Sequence, residues 1–307
     1  MSHLMSVRTM RLPSLIRYLL LNTLLLCGLS PLLHAEELPL PETVRYSSPQ
    51  WPANLQADIY RPNSSGLAPT VLVIHGGGWG SGARDDGYVK AICEHLQATG
   101  YAAVSVSYRL APEWRFPAQL DDMSEAVRWL ASNGAEHGLD TSRIAVWGYS
   151  AGAHMASLLA MQPQAVPIVA VIAGGIPADL RKWPNSNMVK DLLGKSRDDA
   201  PELWAEASPV THVNAQTPPH FLYHGRLDTM VSYQQAKQMQ AALELANVPV
   251  TLYTRWFYGH IFAALFTGGS LAAATDFLAP YLAPASPRGE GSTPSVLPEA
   301  PEQQHAD

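Results

Sequence analysis

Gly148-Tyr149-Ser150-Ala151-Gly152 is a G-x-S-x-G sequence set between an apolar run, Arg143 to Gly148, and a helix-patterned segment, Ala151 to Met161. A serine on a sharp strand-to-helix turn is held in a strained backbone, and glycines two residues either side leave room for neighbouring main chain. An inert serine in a glycine-rich turn is the competing reading of the pentapeptide, and the residues around it decide against that. Upstream, an apolar run ends in His75-Gly76-Gly77-Gly78-Trp79. Bare amides in such a loop can aim at a developing oxyanion, and the amide of Ala151 at a helix start can add another. A phosphate cradle would need a Gly-Lys-Ser/Thr or G-x-G-x-x-G spacing, which is missing. His75 is read as holding the loop by hydrogen bonds.

A serine hydroxyl is a weak nucleophile until a positioned base takes its proton, so the chemistry also needs a histidine and a carboxylate behind it. Phe221 to Asp228 carries an acid just past an apolar run, and Val250 to Thr254 leads through Arg255-Trp256-Phe257-Tyr258 to Gly259-His260. Asp228 is therefore read as the acid and His260 as the base. Asp198, Asp199 and Glu202 compete as acids but fall in a polar stretch with no strand before it. His154, His220 and His224 compete as bases and read as helix or strand positions. No zinc-binding spacing links them, so neither metal nor cofactor is expected.

These residues need a scaffold, and short β-branched or aromatic runs alternating with helix-period segments supply one: a mainly parallel sheet with helices on both faces. The expected strands are Val44 to Tyr46, Leu55 to Tyr60, Thr70 to His75, Ala102 to Tyr108, Arg143 to Gly148, Ile168 to Ala173, His220 to His224 and Val250 to Thr254. The first two are too close in sequence for a crossover helix and should be antiparallel. Helices are expected over Tyr88 to Thr99, Pro117 to Ser132, Ala151 to Met161, Tyr233 to Ala246 and Leu271 to Leu282. With 47% hydrophobic and 15% charged residues among 307, one sizeable core is expected, and a formal charge of -6 with no basic stripe argues against nucleic acid as a partner.

Arg8, Arg11 and Arg17 precede an apolar stretch from Leu19 to Leu33, and Leu33-His34-Ala35 meets Glu36-Glu37, the pattern of a secretory signal peptide cut after Ala35. Gly28 and Pro31 break the run short of the ~20 apolar residues a membrane span needs. Bulky Leu26 before Cys27 disfavours a lipoprotein signal. The expected organisation is a signal at 1–35, a catalytic domain at 36–284 and a disordered Pro/Glu-rich tail at 285–307, with a periplasmic or secreted location and no stable membrane insertion after cleavage. Cys93 would then be the sole thiol, a small packed residue on a helix.

Taken in order, His75-Gly76-Gly77-Gly78-Trp79, Ser107-Tyr108-Arg109-Leu110-Ala111-Pro112-Glu113, the serine pentapeptide, His224-Gly225 with Asp228, and Gly259-His260 resemble the esterase and lipase branch of the α/β-hydrolases related to hormone-sensitive lipase. Among these the chain looks most like the compact bacterial acetyl and feruloyl esterases. The resemblance runs from Thr70 to Leu282. It implies an α/β-hydrolase fold, a mostly parallel eight-stranded sheet, and an oxyanion hole at Gly76 and Gly77. Arg109 would be a scaffold ion-pair partner of Asp121 or Asp122. Tyr149 stands where many members carry Asp, and it and Trp79 are expected to border the substrate. Residues 36–69 read as strands, so no large N-terminal cap is expected, and Gly175 to Pro219, with Trp183, Met188 and Trp204, is left to line one side of an open cleft.

The function these readings imply is a serine carboxylic-ester hydrolase working through an acyl-enzyme on a small-molecule or saccharide-linked ester. An amidase or formamidase on the same triad is the rival within enzymes, separable by assay on an N-formyl amide. A catalytically silent binding protein is the rival outside them, separable by whether a fluorophosphonate labels the chain.

Overall fold

The computed structural model describes residues 38–283. The signal peptide and tail assigned from sequence lie outside the described residues.

Eight strands form one sheet: β1 (Glu42–Arg45), β2 (Gln56–Tyr60), β3 (Ala68–Ile74), β4 (Ala102–Val106), β5 (Leu139–Tyr149), β6 (Ile168–Gly174), β7 (His220–Gly225) and β8 (Val250–Arg255), in the spatial order β1-β2-β4-β3-β5-β6-β7-β8. β1 and β2 run antiparallel to their neighbours, and every pairing from β4 to β8 is parallel. A parallel sheet must be covered on both faces, which is why β3 reads as the nearly unbroken apolar run Ala-Pro-Thr-Val-Leu-Val-Ile. Its side chains alternate between two cores. Leu72 and Ile74 pack on one face with Leu120, Met123, Leu158 and Met239, while Val71 and Val73 pack on the other with Val89, Ile92, Leu96 and Leu278.

The first face is covered by α2 (Ala118–Asn133), α3 (Ala151–Ala160) and α6 (Tyr233–Leu245), the second by α1 (Gly87–Ala98) and α8 (Gly269–Leu282). Cys93 is fully buried on α1, and burial pushes its thiol up, so it packs as a small apolar side chain. Three short helices went unpredicted: α4 (Asn187–Leu193), α5 (Pro201–Glu206) and α7 (His260–Leu265). They are too short to show a period, and His-Ile-Phe-Ala-Ala-Leu lacks the polar face that marks an amphipathic helix. β5 begins earlier than expected, at Leu139, where it pairs with Ala68 across a register shift in β3.

Arg109 does act as a scaffold residue. Its guanidinium donates to Asp122 at 2.8 Å, the partner that sequence left open against Asp121, and lies over the rings of Trp51 and Trp114. Both charges are buried, so each depends on the other for solvation. No cap domain precedes the sheet among the described residues, and the carboxyl ends of β3, β5, β7 and β8 carry the residues of interest.

Candidate active site

β5 ends at Tyr149 and α3 begins at Ala151, leaving Ser150 alone at the turn with φ 56° and ψ −121°. That conformation costs of order 1–3 kcal/mol for a residue with a side chain and persists only where the surroundings over-determine it. Here they do. A Cβ on Gly148 would lie 2.2 Å from the backbone of Gly152, and one on Gly152 would lie 2.1 Å from the carbonyl oxygen of Ile74. The elbow is pressed against β3 and against itself, and Ser150 N–H is tied to the Gly174 carbonyl at 2.7 Å.

The loops after β7 and β8 deliver the other two groups. They are laced together by Arg226 N–H to Arg255 O at 2.8 Å and Leu227 N–H to Tyr258 O at 3.0 Å. His260 opens α7, which Arg255 secures by donating to the Ala263 carbonyl at 3.2 Å. His260 Nε2 lies 2.9 Å from Ser150 Oγ, and its Nδ1 lies 2.6 Å from Asp228 Oδ2. The other carboxylate oxygen of Asp228 accepts the N–H groups of Met230 at 2.9 Å and Val231 at 2.8 Å. His224 Nε2 stands 3.2 Å from Oδ2. Burial alone would push the Asp228 carboxyl up. The hydrogen bonds from His224 and His260, the field of His260 and the Val231 amide outweigh it and hold the group well below the usual carboxylate range. The ionised acid can therefore orient the His260 ring and stabilise an imidazolium once Ser150 has given up its proton.

The oxyanion loop needs one correction. Gly76 N–H donates to the Tyr88 hydroxyl and so is already occupied. The amide of Gly77 meets no acceptor among the described residues, and that of Ala151 is at the first turn of α3, where no intrahelical partner exists. Of the three amides read from sequence as oxyanion donors, those of Gly77 and Ala151 remain free to donate. His75 holds the loop as expected from sequence: its Nδ1 lies 2.7 Å from the Gly76 carbonyl oxygen, and its ring stacks on Tyr108 at 4.1 Å.

The two expected substrate contacts both border the hollows at Ser150, Trp79 on one side and Tyr149 on the other, with most of each ring buried. Trp79 is only 2% exposed because its left-handed backbone, φ 63°, tucks the indole inward, where it donates to His154 Nδ1 at 3.2 Å. Tyr149 is 3% exposed and donates its hydroxyl to the His260 carbonyl at 2.6 Å, bracing the base. Trp204 is fully buried and donates to Lys195 O, so it does not line the cleft, whereas Trp183 and Met188 do.

Ser150 sits where two hollows meet. One, about 360 Å³, is walled by Pro177, Trp183, Pro184, Met188 and Val231, with Lys182 at its edge. The other, about 460 Å³, is walled by Ser81, Asp86, Tyr88, His260, Ile261 and Leu265. His260 belongs to the second hollow alone.

The competing acids stay out: Asp198 is exposed beside Arg197, Asp199 is exposed and bonded to Ser196, and Glu202 is exposed. His154 and His220 are buried and bonded to backbone carbonyls, and burial lowers each to about 4. His224 is a strand residue, as read from sequence, but it also reaches Asp228, which sequence reasoning missed. Tyr88 was missed too. Its only signal was an aromatic at the start of the helix that follows the glycine loop.

A serine at the β5 elbow, followed in chain order by an acid after β7 and a histidine after β8, defines the α/β-hydrolase class. The chain belongs to the BD-FAE family, whose model matches residues 57–243. It is 30% identical over 240 residues to LipM of Mycobacterium tuberculosis, named a probable carboxylic ester hydrolase, covering 71% of this chain and 55% of that one. The chain spans about half the length of the curated relatives it matches first. Its fold superposes on a truncated carbohydrate esterase from gut microbiota with TM-score 0.70 at 22% identity, covering 80% of this chain and 96% of that one. It also superposes on an acetyl ester-xyloside bifunctional hydrolase from Caldicellulosiruptor lactoaceticus with TM-score 0.69 at 23% identity, covering 80% and 98%.

Proposed function

We propose that this protein is a serine carboxylic-ester hydrolase acting on short-chain acyl or aromatic acid esters, with sugar-linked esters among its substrates. The observation that carries the reading is the continuous chain Asp228–His260–Ser150, with links of 2.6 and 2.9 Å. Ser150 Oγ attacks the ester carbonyl while His260 Nε2 takes its proton. The amides of Gly77 and Ala151 receive the negative oxygen, each such donor being worth ~3 kcal/mol in the transition state. His260 then protonates the departing alkoxide, and the acyl group stays on Ser150 until a water, deprotonated by the same nitrogen, releases the acid.

The two hollows support a division of the substrate. The alcohol must leave beside the nitrogen that protonates it, so it belongs in the hollow that contains His260, where Ser81, Asp86 and Tyr88 offer hydrogen-bonding groups suited to a hydroxyl-rich alcohol. The acyl group then falls in the hollow of Trp183, Pro177, Pro184 and Met188, whose mainly apolar wall, edged by Lys182, Asn185 and Ser186, suits a short chain or an aromatic acid. The names of the relatives and structural neighbours are in keeping with this reading. Hydrolysis of nitrophenyl esters of increasing acyl length, beside acetylated sugars, feruloyl esters and an N-formyl amide, tests it. Turnover should be highest on short acyl or feruloyl esters and negligible on the amide, and preference for the amide would overturn it.

The export signal read from sequence makes a periplasmic or secreted location part of the same proposal. N-terminal sequencing of the native protein should give a chain starting at Glu36, and an intact Met1 on cytoplasmic protein would refute it.

A further inference from the structure

The triad acid has a second histidine on it. His224 is fully buried at the end of β7, four positions before Asp228, and its Nε2 lies 2.8 Å from the Val231 carbonyl oxygen and 3.2 Å from Asp228 Oδ2. A carbonyl oxygen only accepts, so Nε2 carries the proton, shared between that carbonyl and the carboxylate. Nδ1 is buried with no partner, which leaves it as the bare lone pair of that tautomer. The ring is set edge-on to Tyr233 at 5.8 Å, so it has little freedom to flip. Asp228 thus has all of its acceptor sites filled: Oδ1 by Met230 and Val231, Oδ2 by His260 and His224.

We propose that His224 is a positioning residue for the triad, its Nε2–H pinning Asp228 Oδ2 opposite His260 Nδ1 and tying the carboxylate to the 228–231 turn. The inference rests on the proposed serine-hydrolase reading. His224 cannot be the base, since it makes no contact with Ser150 and has no exposure. It acts through Asp228. Val231 also walls the hollow assigned to the acyl group, so one ring links the acid to the substrate wall. Without this donor, Oδ2 keeps a single partner and the Val231 carbonyl is left buried and unpaired, so the carboxylate can rotate away from the His260 ring.

Three variants separate this role from mere packing, because a glutamine amide reaches where Nε2 stands, whereas asparagine reaches only as far as Nδ1 and phenylalanine fills the space without a donor. With wild-type ester turnover as reference, His224→Phe and His224→Asn should lose about ten- to a hundredfold in kcat with KM changed less than about twofold, and His224→Gln should stay within about threefold of wild type. Nitrogen-correlated NMR of the wild-type imidazoles gives an independent reading and should show the Nε2–H tautomer for His224. Wild-type kcat in either donor-free variant, a glutamine variant as impaired as the phenylalanine one, or the Nδ1–H tautomer would overturn the proposal. A wild-type protein inactive on every ester would instead count against the serine-hydrolase reading, while the tautomer measurement would still decide whether His224 donates to Asp228.

Discussion

The nucleophile and the pair that serves it are held in place by different means. At the end of β5, Ser150 is set by main chain: the backbone of Gly152, the carbonyl of Ile74 and the Gly174 hydrogen bond leave the turn one conformation. At the ends of β7 and β8, Asp228 and His260 are set largely by hydrogen bonds, with His224, Tyr149, Met230, Val231 and Arg255 each supplying one. A site fixed by steric contact fails by unfolding when it is altered, whereas one fixed by hydrogen bonds fails by losing rate while the fold survives. The two halves of the triad should therefore respond differently to substitution.

Short of removing the nucleophile itself, the largest effect on rate is expected at the hydrogen-bonded half. Asp228→Asn keeps the shape but presents an amide to His260 and favours the wrong tautomer, and in a comparable triad this change lowered turnover ~10⁴-fold. Steady-state turnover beside circular dichroism checks that rate falls and fold remains. The same variant carries a pH signature. The folded Asp228 carboxyl titrates below its unfolded value of ~3.9, so the unfolded chain binds more protons in that acid window. The stability it contributes is full above the unfolded value and is lost as pH falls through the folded one. Denaturant titrations should show Asp228→Asn losing less stability than wild type between about pH 4 and pH 2.

The steric half should break the other way. Gly152→Ala forces a methyl group against the Ile74 carbonyl, for an expected cost of about 3 kcal/mol and a fall in Tm of several degrees, measured by thermal or urea unfolding. An alanine protein as stable as wild type would show that the elbow is looser than its contacts imply. At the small end, Asp198→Asn and Glu202→Gln should change turnover by less than twofold and stability by less than ~0.5 kcal/mol, since both carboxylates face solvent.

The steric half was also the more legible in the sequence. The G-x-S-x-G pentapeptide and its flanking strand and helix are contiguous, so residue type and spacing contain the whole elbow, and the alternation of short strand runs with helix-period segments pointed to the sheet that carries it. Asp228 and His260 could be read from their places after strand ends. Their supports could not, because Tyr149 meets the His260 carbonyl and Tyr88 meets the Gly76 amide only through tertiary packing. The inward packing of Trp79 was hidden for the same kind of reason. An aromatic next to three glycines reads as a cleft wall, and Trp79 does border the hollow, but its left-handed backbone turns most of the ring into the core. Trp204 likewise lies in a segment correctly placed beside the cleft, yet its helix is too short for periodicity to reveal which way the ring faces.

Covalent trapping tests the central claim most directly. A fluorophosphonate should modify the wild-type protein once, peptide mass spectrometry should place the adduct on Ser150, and Ser150→Ala should remain folded, unlabelled and without ester turnover beyond the ~10³ to 10⁴ over water that binding and oxyanion stabilisation alone supply. An adduct on another residue, or a folded Ser150→Ala protein that keeps more than about a tenth of wild-type turnover against the orders of magnitude expected, would contradict the assignment.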